Sequence, residues 1–477
     1  MNKHWNMDWK FLSKVMAIGL PVALQNLLVN ASTMFDTMMV GTLGEAEVAA
    51  VGLVSQYVAL FVYAYFGFTG GGVVFFAQYH GINDEKGISM AYGLVTSCMM
   101  GVGLLFGIVA IFFPETVMRI YTDKQDIIQI GIPYLRLIGF SLPLQSLSVA
   151  VSYLLRTTER VKAPLVASII SQITNIGINA VLILGLFGFP KMGVTGAAVG
   201  TLAASILSVI ILYVYCIRIH CSPVLNISQQ FKWNLKFVRQ YFMKSAPIIA
   251  NEAMVGVIGL IVNSIMGRQI EEGIAAMAVF RAIERMIYSF FSGFANASAV
   301  MVGKQVGAGE HRYAYRDAKW FAILSPAVTC VICILIFCFH GPVLQIFGLT
   351  GLSYQYGVYM LGFYIVAGTL RTCNYILNDT FRAGGDTVIG TVTEVGFQMC
   401  LTIPLVWLAG IYFKLPFLIV FSLVYIDDIL RVWIMLGRLR SGRWIKPVTE
   451  LGKAALPGFL SEKERKKAGI GSISGGF

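Results

Sequence analysis

The sequence predicts an all-α membrane protein with about twelve transmembrane helices in two pseudo-symmetric six-helix lobes. Three observations carry this. Of 477 residues, 57% are hydrophobic and 13% charged, whereas a soluble globular chain carries about 25% charged residues. Apolar runs of roughly 20 residues, each enough to cross a 30 Å hydrocarbon core, recur along the whole length. The two halves also repeat at a constant offset: Pro21 matches Pro247 (247 − 21 = 226), and the same step carries Gly41 to Gly267, Ala49-Ala50 to Ala275-Ala276, Gly67-Phe68 to Gly293-Phe294, Gly81 to Gly307 and Arg156 to Arg382. A parallel repeat of even span number sets two similar bundles side by side about an axis along the membrane normal, a layout of secondary transporters.

The predicted spans are 15–40, 48–79, 88–113, 127–155, 163–187, 193–218, 245–268, 274–304, 315–340, 352–381, 387–411 and 416–438. The stretch from Met1 to Lys14 runs into the first without a small-residue cleavage site, so that segment reads as a retained span. The organisation is then a first lobe over 1–220, a linker over 221–244, a second lobe over 245–440 and a basic tail over 441–477. In the linker, Phe231, Leu235, Val238 and Phe242 recur at helical spacing beside Lys232, Lys236 and Arg239, which predicts an amphipathic helix lying on the leaflet. From Ser461 onward the tail is polar, basic and glycine-rich, and disorder is expected.

Net charge is +12. The basic residues sit in short loops and the tail beside spans, which favours lipid headgroups and the orientation rule over nucleic acid. Lys3, Lys14, Lys86, Arg156, Arg160, Lys162, Arg218, Arg312, Arg316, Arg382 and the tail lysines and arginines all fall on the side of the N-terminus. Both termini are therefore expected in the cytoplasm. Most of the eight cysteines lie inside apolar segments, where they read as small hydrophobes. Cys330-x-x-Cys333 lacks the companions of a zinc site.

Taken in chain order, the polar residues inside spans mark candidate chemistry. Asp36 is deep in the first span, with Asn26, Asn30, Thr33 and Thr37 at helical spacing on nearly one face. A carboxylate at the centre of a spanning helix costs roughly 2.5–3.5 kcal/mol on insertion scales, so a proton, a cation or a wet cavity must offset it. The alternative is a structural aspartate that caps Gly41-Thr42. Asn175 and Asn179 stand one turn apart on the fifth span, and Thr201 follows a Gly/Ala-rich stretch on the sixth. Their oxygens beside a carboxylate suit Na⁺ or a proton relay; alone they suit interhelical hydrogen bonds. Pro21 in the first span makes a bend available.

In the second half, Pro247 precedes Glu252, and Arg281, Glu284 and Arg285 sit at pairing distance on the eighth span. Arg371 and Asp379 are on the tenth span, Glu394 on the eleventh, and Asp427, Asp428 and Arg431 on the twelfth. Glu252, Arg371 and Asp379 are the candidates for a second-lobe site. Asp428 and Arg431 are expected to form a structural pair near the cytoplasmic end. No nucleophile–base set, phosphate loop or zinc spacing is present, which argues against an enzyme and against ATP as the energy source. No cofactor is implied beyond a coupling ion.

Gly19-Leu20-Pro21 through Phe35-Asp36-Thr37-Met38-Met39-Val40-Gly41, Ala49-Ala50-Val51-Gly52, Val302-Gly303-Lys304-Gln305-Val306-Gly307-Ala308-Gly309 and Phe381-Arg382-Ala383-Gly384-Gly385-Asp386 are four further motifs. On them the chain resembles the multidrug and toxic compound extrusion (MATE) transporters over nearly its whole length. The resemblance implies two lobes in a V around a central cavity, and drug/H⁺ or drug/Na⁺ antiport by alternating access. Amphipathic, often cationic compounds are the expected cargo and membrane lipids the surroundings. A monomer in a bacterial-type inner membrane is expected. The family's first-lobe cation site matches Asp36, Asn175, Asn179 and Thr201, its bending proline Pro21, and its second-lobe carboxylate Glu252. The tenth-span acidic position of NorM-type members reads Arg371 here, and Arg160-Val161-Lys162 departs from the Gly-Asp form that the second half keeps. A lipid-linked oligosaccharide flippase of the wider superfamily is the alternative.

Overall fold

The computed structural model describes residues 9–467. Lys3 and the glycine-rich stretch 468–477 lie outside the described residues. Twelve membrane-length elements follow in order. The first six are α1 (Trp9–Gly41), α2 (Glu45–Gly81), α3 (Glu85–Phe112), α4 (Gln125–Thr157), α5 (Lys162–Leu184) and α6 (Val194–Arg218). The second six are α7 (Leu235–Met266), α8 (Glu271–Gly307), α9 (His311–Cys338), α10 (Gly351–Ala383), α11 (Thr387–Tyr412) and a two-piece α12 (Phe417–Leu423 and Ile426–Ser441). Among the described residues, nine helices are long and apolar enough to cross a bilayer by composition alone; α8, α10 and α12 fall short. α8 and α10 carry Glu284, Arg371 and Asp379, which lower their mean hydropathy, and the two pieces of the broken α12, of 7 and 16 residues, are each too short. Large apolar side chains cover the outside, with Leu105 61%, Val366 63% and Trp433 72% exposed. Such a surface suits lipid and not water.

The repeat is visible in the packing. Within the first lobe α3 packs on α4, α4 on α6, α2 on α4, and α1 on α5; the second lobe reproduces this as α9 on α10, α10 on α12, α8 on α10, and α7 on α11. The lobes meet through α1 on α8, α2 on α7, and α2 on α8. Glycines allow that approach. A Cβ on Gly293 would strike Gly19 and Ala23, and one on its repeat mate Gly67 would strike Ile249. Likewise Gly81 abuts the Lys304 carbonyl, and Gly307 abuts Gln78, where 304 − 226 = 78. Sequence positions 226 apart thus make mirrored contacts about one axis. Gly307→Leu is expected to weaken closure here by about 1–3 kcal/mol, the usual cost of overpacking. Spin labels on the α2 and α8 ends would report it as a longer interlobe distance.

All these contacts lie in the half of the bundle nearest Lys14, Glu159, Lys304, Arg312 and Lys446, here called the basic face. Beyond Tyr63, against which Gly256 packs, and Asn30, bonded to Ser289, the two lobes diverge. Met34, Phe35 and Met38 of α1 are exposed there. The molecule is a V, joined at the basic face and open on the other.

Four expectations need correction. The linker does not form one amphipathic helix over 231–242. Short turns at Ser222–Leu225 and Ile227–Gln230 are followed by α7, which begins at Leu235 after the Asn234 side chain accepts a hydrogen bond from Phe237 N. Phe237 and Tyr241 are the buried residues there, so the register of the buried face differs from the stripe read in the sequence. The tail is helical over Glu450–Lys467, past Ser461. Arg156 and Arg382 are not loop charges; both end their helices with buried or nearly buried side chains. Finally, Asp427, Asp428 and Arg431 are not at the end of a span. They open the second piece of α12, just after the break at 424–425, deep in the lobe. Broken helices are tolerated at membrane depth where protein surrounds them.

Candidate functional site

In the first lobe, α1, α5 and α6 bring the four predicted residues together. Asn179 donates from Nδ2 to Asp36 Oδ1 at 2.8 Å. With the Asn175 amide oriented to satisfy both its atoms, its nitrogen donates to the same Oδ1 at 3.0 Å and its oxygen accepts from Thr201 N at 3.1 Å. Gly200 makes this possible, because a Cβ there would overlap Asn179 Oδ1. The small residues Gly196, Ala197 and Ala198 bring α6 equally close to α5. Asn175 and Asn179 are buried, and Asp36 is half-buried. Asn179 Oδ1 is buried without a partner. Both amides turn their N–H groups to the carboxylate, an arrangement in which the carboxylate suits a proton, whereas Na⁺ would need the amides turned to present their oxygens.

The rest of the predicted polar face divides. Asn26 Nδ2 donates to Ser292 Oγ and Asn30 Nδ2 to Ser289 Oγ, both at 2.8 Å, joining α1 to the other lobe. Thr33 and Thr37 bond back to their own helix, to Val29 O and Thr33 O. Beyond Asn30, α1 is thus held to its lobe by the hydrogen bonds of Asp36 and by the burial of Val40 in the first-lobe core. Tyr134 of α4 lies within electrostatic reach of Asp36. Nothing in the sequence signalled it, since it is one of 21 tyrosines.

Three ionic groups of the second lobe involve the predicted residues; Asp386, paired with Arg438 at 2.6 Å and Lys446 at 2.8 Å, is a further one at the basic face. Arg382 Nη1 is 3.2 Å from Glu252 Oε1 and 3.7 Å from Asp379 Oδ1. Glu284 is held by Arg281 at 3.0 Å, Arg371 at 3.1 Å and the Tyr425 hydroxyl at 3.1 Å. Arg431 lies 3.2 Å from Asp427, 3.7 Å from Asp428 and 3.8 Å from Glu394, and Glu394 Oε2 also accepts from Asn251 and Asn378. Glu252 and Asp379 are therefore brought together, whereas Arg371 pairs with Glu284 instead. Its place is taken by Arg382. The 226-residue repeat had flagged Arg382, yet the glycine-rich stretch after it made it read as a loop residue.

At the basic face, Glu159 Oε1 receives Lys14 from α1 at 3.2 Å and Lys304 from α8 at 3.0 Å, an ion pair across the lobes. Burial works to raise the Glu159 carboxyl pKa, but the two lysines outweigh it and hold it below the ordinary glutamate value, so it stays ionised at neutral pH. Glu159 occupies the repeat position of Gly385 (385 − 226 = 159), and both have positive φ, 64° and 94°. Gln78 is fully buried: its Nε2 donates to Ala383 O at 2.9 Å and its Oε1 accepts from Val448 N at 2.7 Å. Thr449 donates to Gly307 O at 2.6 Å, and Trp444 packs on Phe381. The start of the tail is thus wedged across both lobes, which the tail's composition did not suggest.

Two lobes related by an internal repeat and joined at one face, with charged residues at membrane depth, define a polytopic membrane protein built like a transporter. The sequence profile of the MatE family matches residues 21–181 and 247–408, two stretches that themselves begin at Pro21 and Pro247; the chain belongs to that family. It is 24% identical to "Probable multidrug resistance protein YoeA" of Bacillus subtilis over 86% of this chain and 89% of that one. A solved structure, "Crystal structure of MATE in complex with MaL6", superposes with a TM-score of 0.81 at 15% identity, covering 90% of this chain and 96% of the other. "Reverse polarity of binding pocket suggests different function of a MOP superfamily transporter from Pyrococcus furiosus" matches with a TM-score of 0.80, also at 15% identity and the same coverage.

Proposed function

We propose that this protein is a multidrug antiporter that expels amphipathic, often cationic compounds in exchange for H⁺ or Na⁺. The observation that carries the reading is Asp36, in the outer half of α1, held by the two asparagine amides of α5. While ionised, the carboxylate accepts both N–H groups. A proton or Na⁺ arriving there cancels the charge those donors stabilise, weakens the tether, and frees the outer half of α1 to move. Pro21 supplies the hinge, because its missing N–H leaves the Ala17 carbonyl without its helical partner. Cargo leaves through the open end of the V, and reversal requires the basic face to part at Gln78 and Glu159.

The strong lysine and arginine bias of the closed face supports its assignment to the cytoplasm of a bacterial-type inner membrane, and the working unit is the single chain. Names of relatives such as YoeA, a probable multidrug resistance protein, support this cargo class. A flippase for lipid-linked anions would be expected to have a uniformly cationic cleft, whereas Asp36, Glu252 and Asp379 line this one. Purified protein in proteoliposomes is expected to concentrate an amphipathic cation such as ethidium under an imposed H⁺ or Na⁺ gradient. Testing each gradient alone identifies the ion, and no accumulation under either rejects the reading.

A further inference from the structure

Arg156 of α4 and Arg382 of α10 are repeat equivalents, yet they have been given opposite surroundings. Arg382 has Glu252 and Asp379 beside it. Shifting those two positions back by 226 gives Asn26 (252 − 226) and Tyr153 (379 − 226), so the first lobe lacks both carboxylates. Asn26 is engaged by Ser292. The Arg156 guanidinium lies over the Tyr153 ring, 5.4 Å from its centroid. It is 7% exposed, it has no ion pair among the described residues, and its Nε is buried without an acceptor. The nearest acid along the chain, Glu159, is occupied by Lys14 and Lys304. A buried guanidinium without a counter-charge costs much more than one ring contact returns. The phenols of Tyr153, whose ring it covers, and Tyr65 are among its neighbours.

Asp379, Arg382 and Tyr375 share α10, Tyr375 stacks edge-on against Tyr288 of α8 with their hydroxyls bonded, and Glu252 and Asp379 are neighbours of these two tyrosines and of Tyr153. The second-lobe side therefore has two carboxylates against one guanidinium, a formal −1, and the first-lobe side has Arg156, a formal +1. The floor is an electric dipole walled by aromatic rings, with one pole lacking a partner.

We propose that the cleft floor is a binding site for zwitterionic amphiphiles. The cationic group docks against Glu252 and Asp379 among Tyr288 and Tyr375, and the acidic group, a carboxylate or phosphate, supplies the missing counter-charge of Arg156 with the Tyr65 and Tyr153 hydroxyls. This rests on the antiporter reading and narrows its cargo. A molecule bearing both charges gains from both poles, whereas a simple cation gains from one and leaves the guanidinium bare.

The test uses two dyes that differ only in the acid: rhodamine B, a zwitterion with a free carboxylate, and its ethyl ester, a cation. Binding to purified full-length protein is followed by fluorescence polarisation. Wild type is expected to prefer the free acid by about tenfold, the size of one charge-assisted contact. Arg156→Gln removes that preference without weakening the ester, and Arg156→Lys retains most of it. Competition by a short-chain phosphatidylcholine at wild type, absent in Arg156→Gln, places a lipid headgroup among the ligands; no competition restricts them to soluble zwitterions. Equal affinity of wild type for the two dyes, or a variant that weakens both equally, overturns the proposal. Gradient-driven export of the ester separates the two readings: if it persists while the acid preference is missing, only this inference fails, and if no gradient moves the ester, the antiporter reading fails.

Discussion

Asp36→Asn is expected to leave the protein folded and able to bind cargo while abolishing uphill export. An asparagine is uncharged like the protonated carboxyl, so the tether to Asn179 and Asn175 is held permanently in its weakened form, while the packing of α1 on α5 maintains the fold. It can neither take up a proton nor neutralise Na⁺. One elementary charge crossing 100 mV supplies about 2.3 kcal/mol, which sets a ceiling near 50-fold on accumulation for a one-charge cycle. In proteoliposomes the variant should lose this entirely and equilibrate cargo to a ratio of one. Asp36→Glu keeps the charge on a longer arm and should retain partial coupling. A wild-type ratio in the asparagine variant would remove Asp36 from the coupling step.

The largest stability effect is expected at Arg431. Its guanidinium is 4% exposed and stands among Asp427, Asp428 and Glu394. Methionine fills similar space but leaves three buried carboxylates without their cation. Breaking a buried pair in this way costs about 3–5 kcal/mol, a large part of the total stability of an ordinary domain. Arg431→Met should therefore aggregate at a markedly lower temperature, followed by the monodisperse fraction after heating in detergent. Adding Asp427→Asn should recover part of the loss, since the two sites share one network. An unchanged melting temperature would mean that these acids are neutral and not paired.

Much of the architecture was legible in the sequence because it depends on chain-local properties. Span length and hydropathy follow from bilayer thickness. The repeat follows from matched prolines, glycines and arginines, and the mirrored contacts of Gly81 with Lys304 and Gly307 with Gln78 show that it is a structural axis. The first-lobe quartet was legible for a similar reason: polar residues one turn apart in an apolar helix have few ways to be satisfied. The second-lobe site was read only in part. Which arginine serves Glu252 depends on how α7 and α10 approach each other, and hydropathy ranked Arg371 and Arg382 by depth without telling which way each faces. The linker failed for a comparable reason, since Phe237 and Tyr241 bury against the first lobe and shift the stripe that an isolated amphipathic helix would show.

The sequence by itself determined that this chain crosses a membrane about twelve times, that its halves are copies, and that Asp36 is a charge needing an explanation. Those conclusions require only the cost of placing polar groups in hydrocarbon. The tertiary structure alone decided that Arg382 and not Arg371 answers Glu252, that Gln78 and the tail fasten the basic face, and that Arg156 is buried without a carboxylate. Charge pairing acts over a few ångströms between helices distant in sequence, so only the packed bundle determines which partners meet.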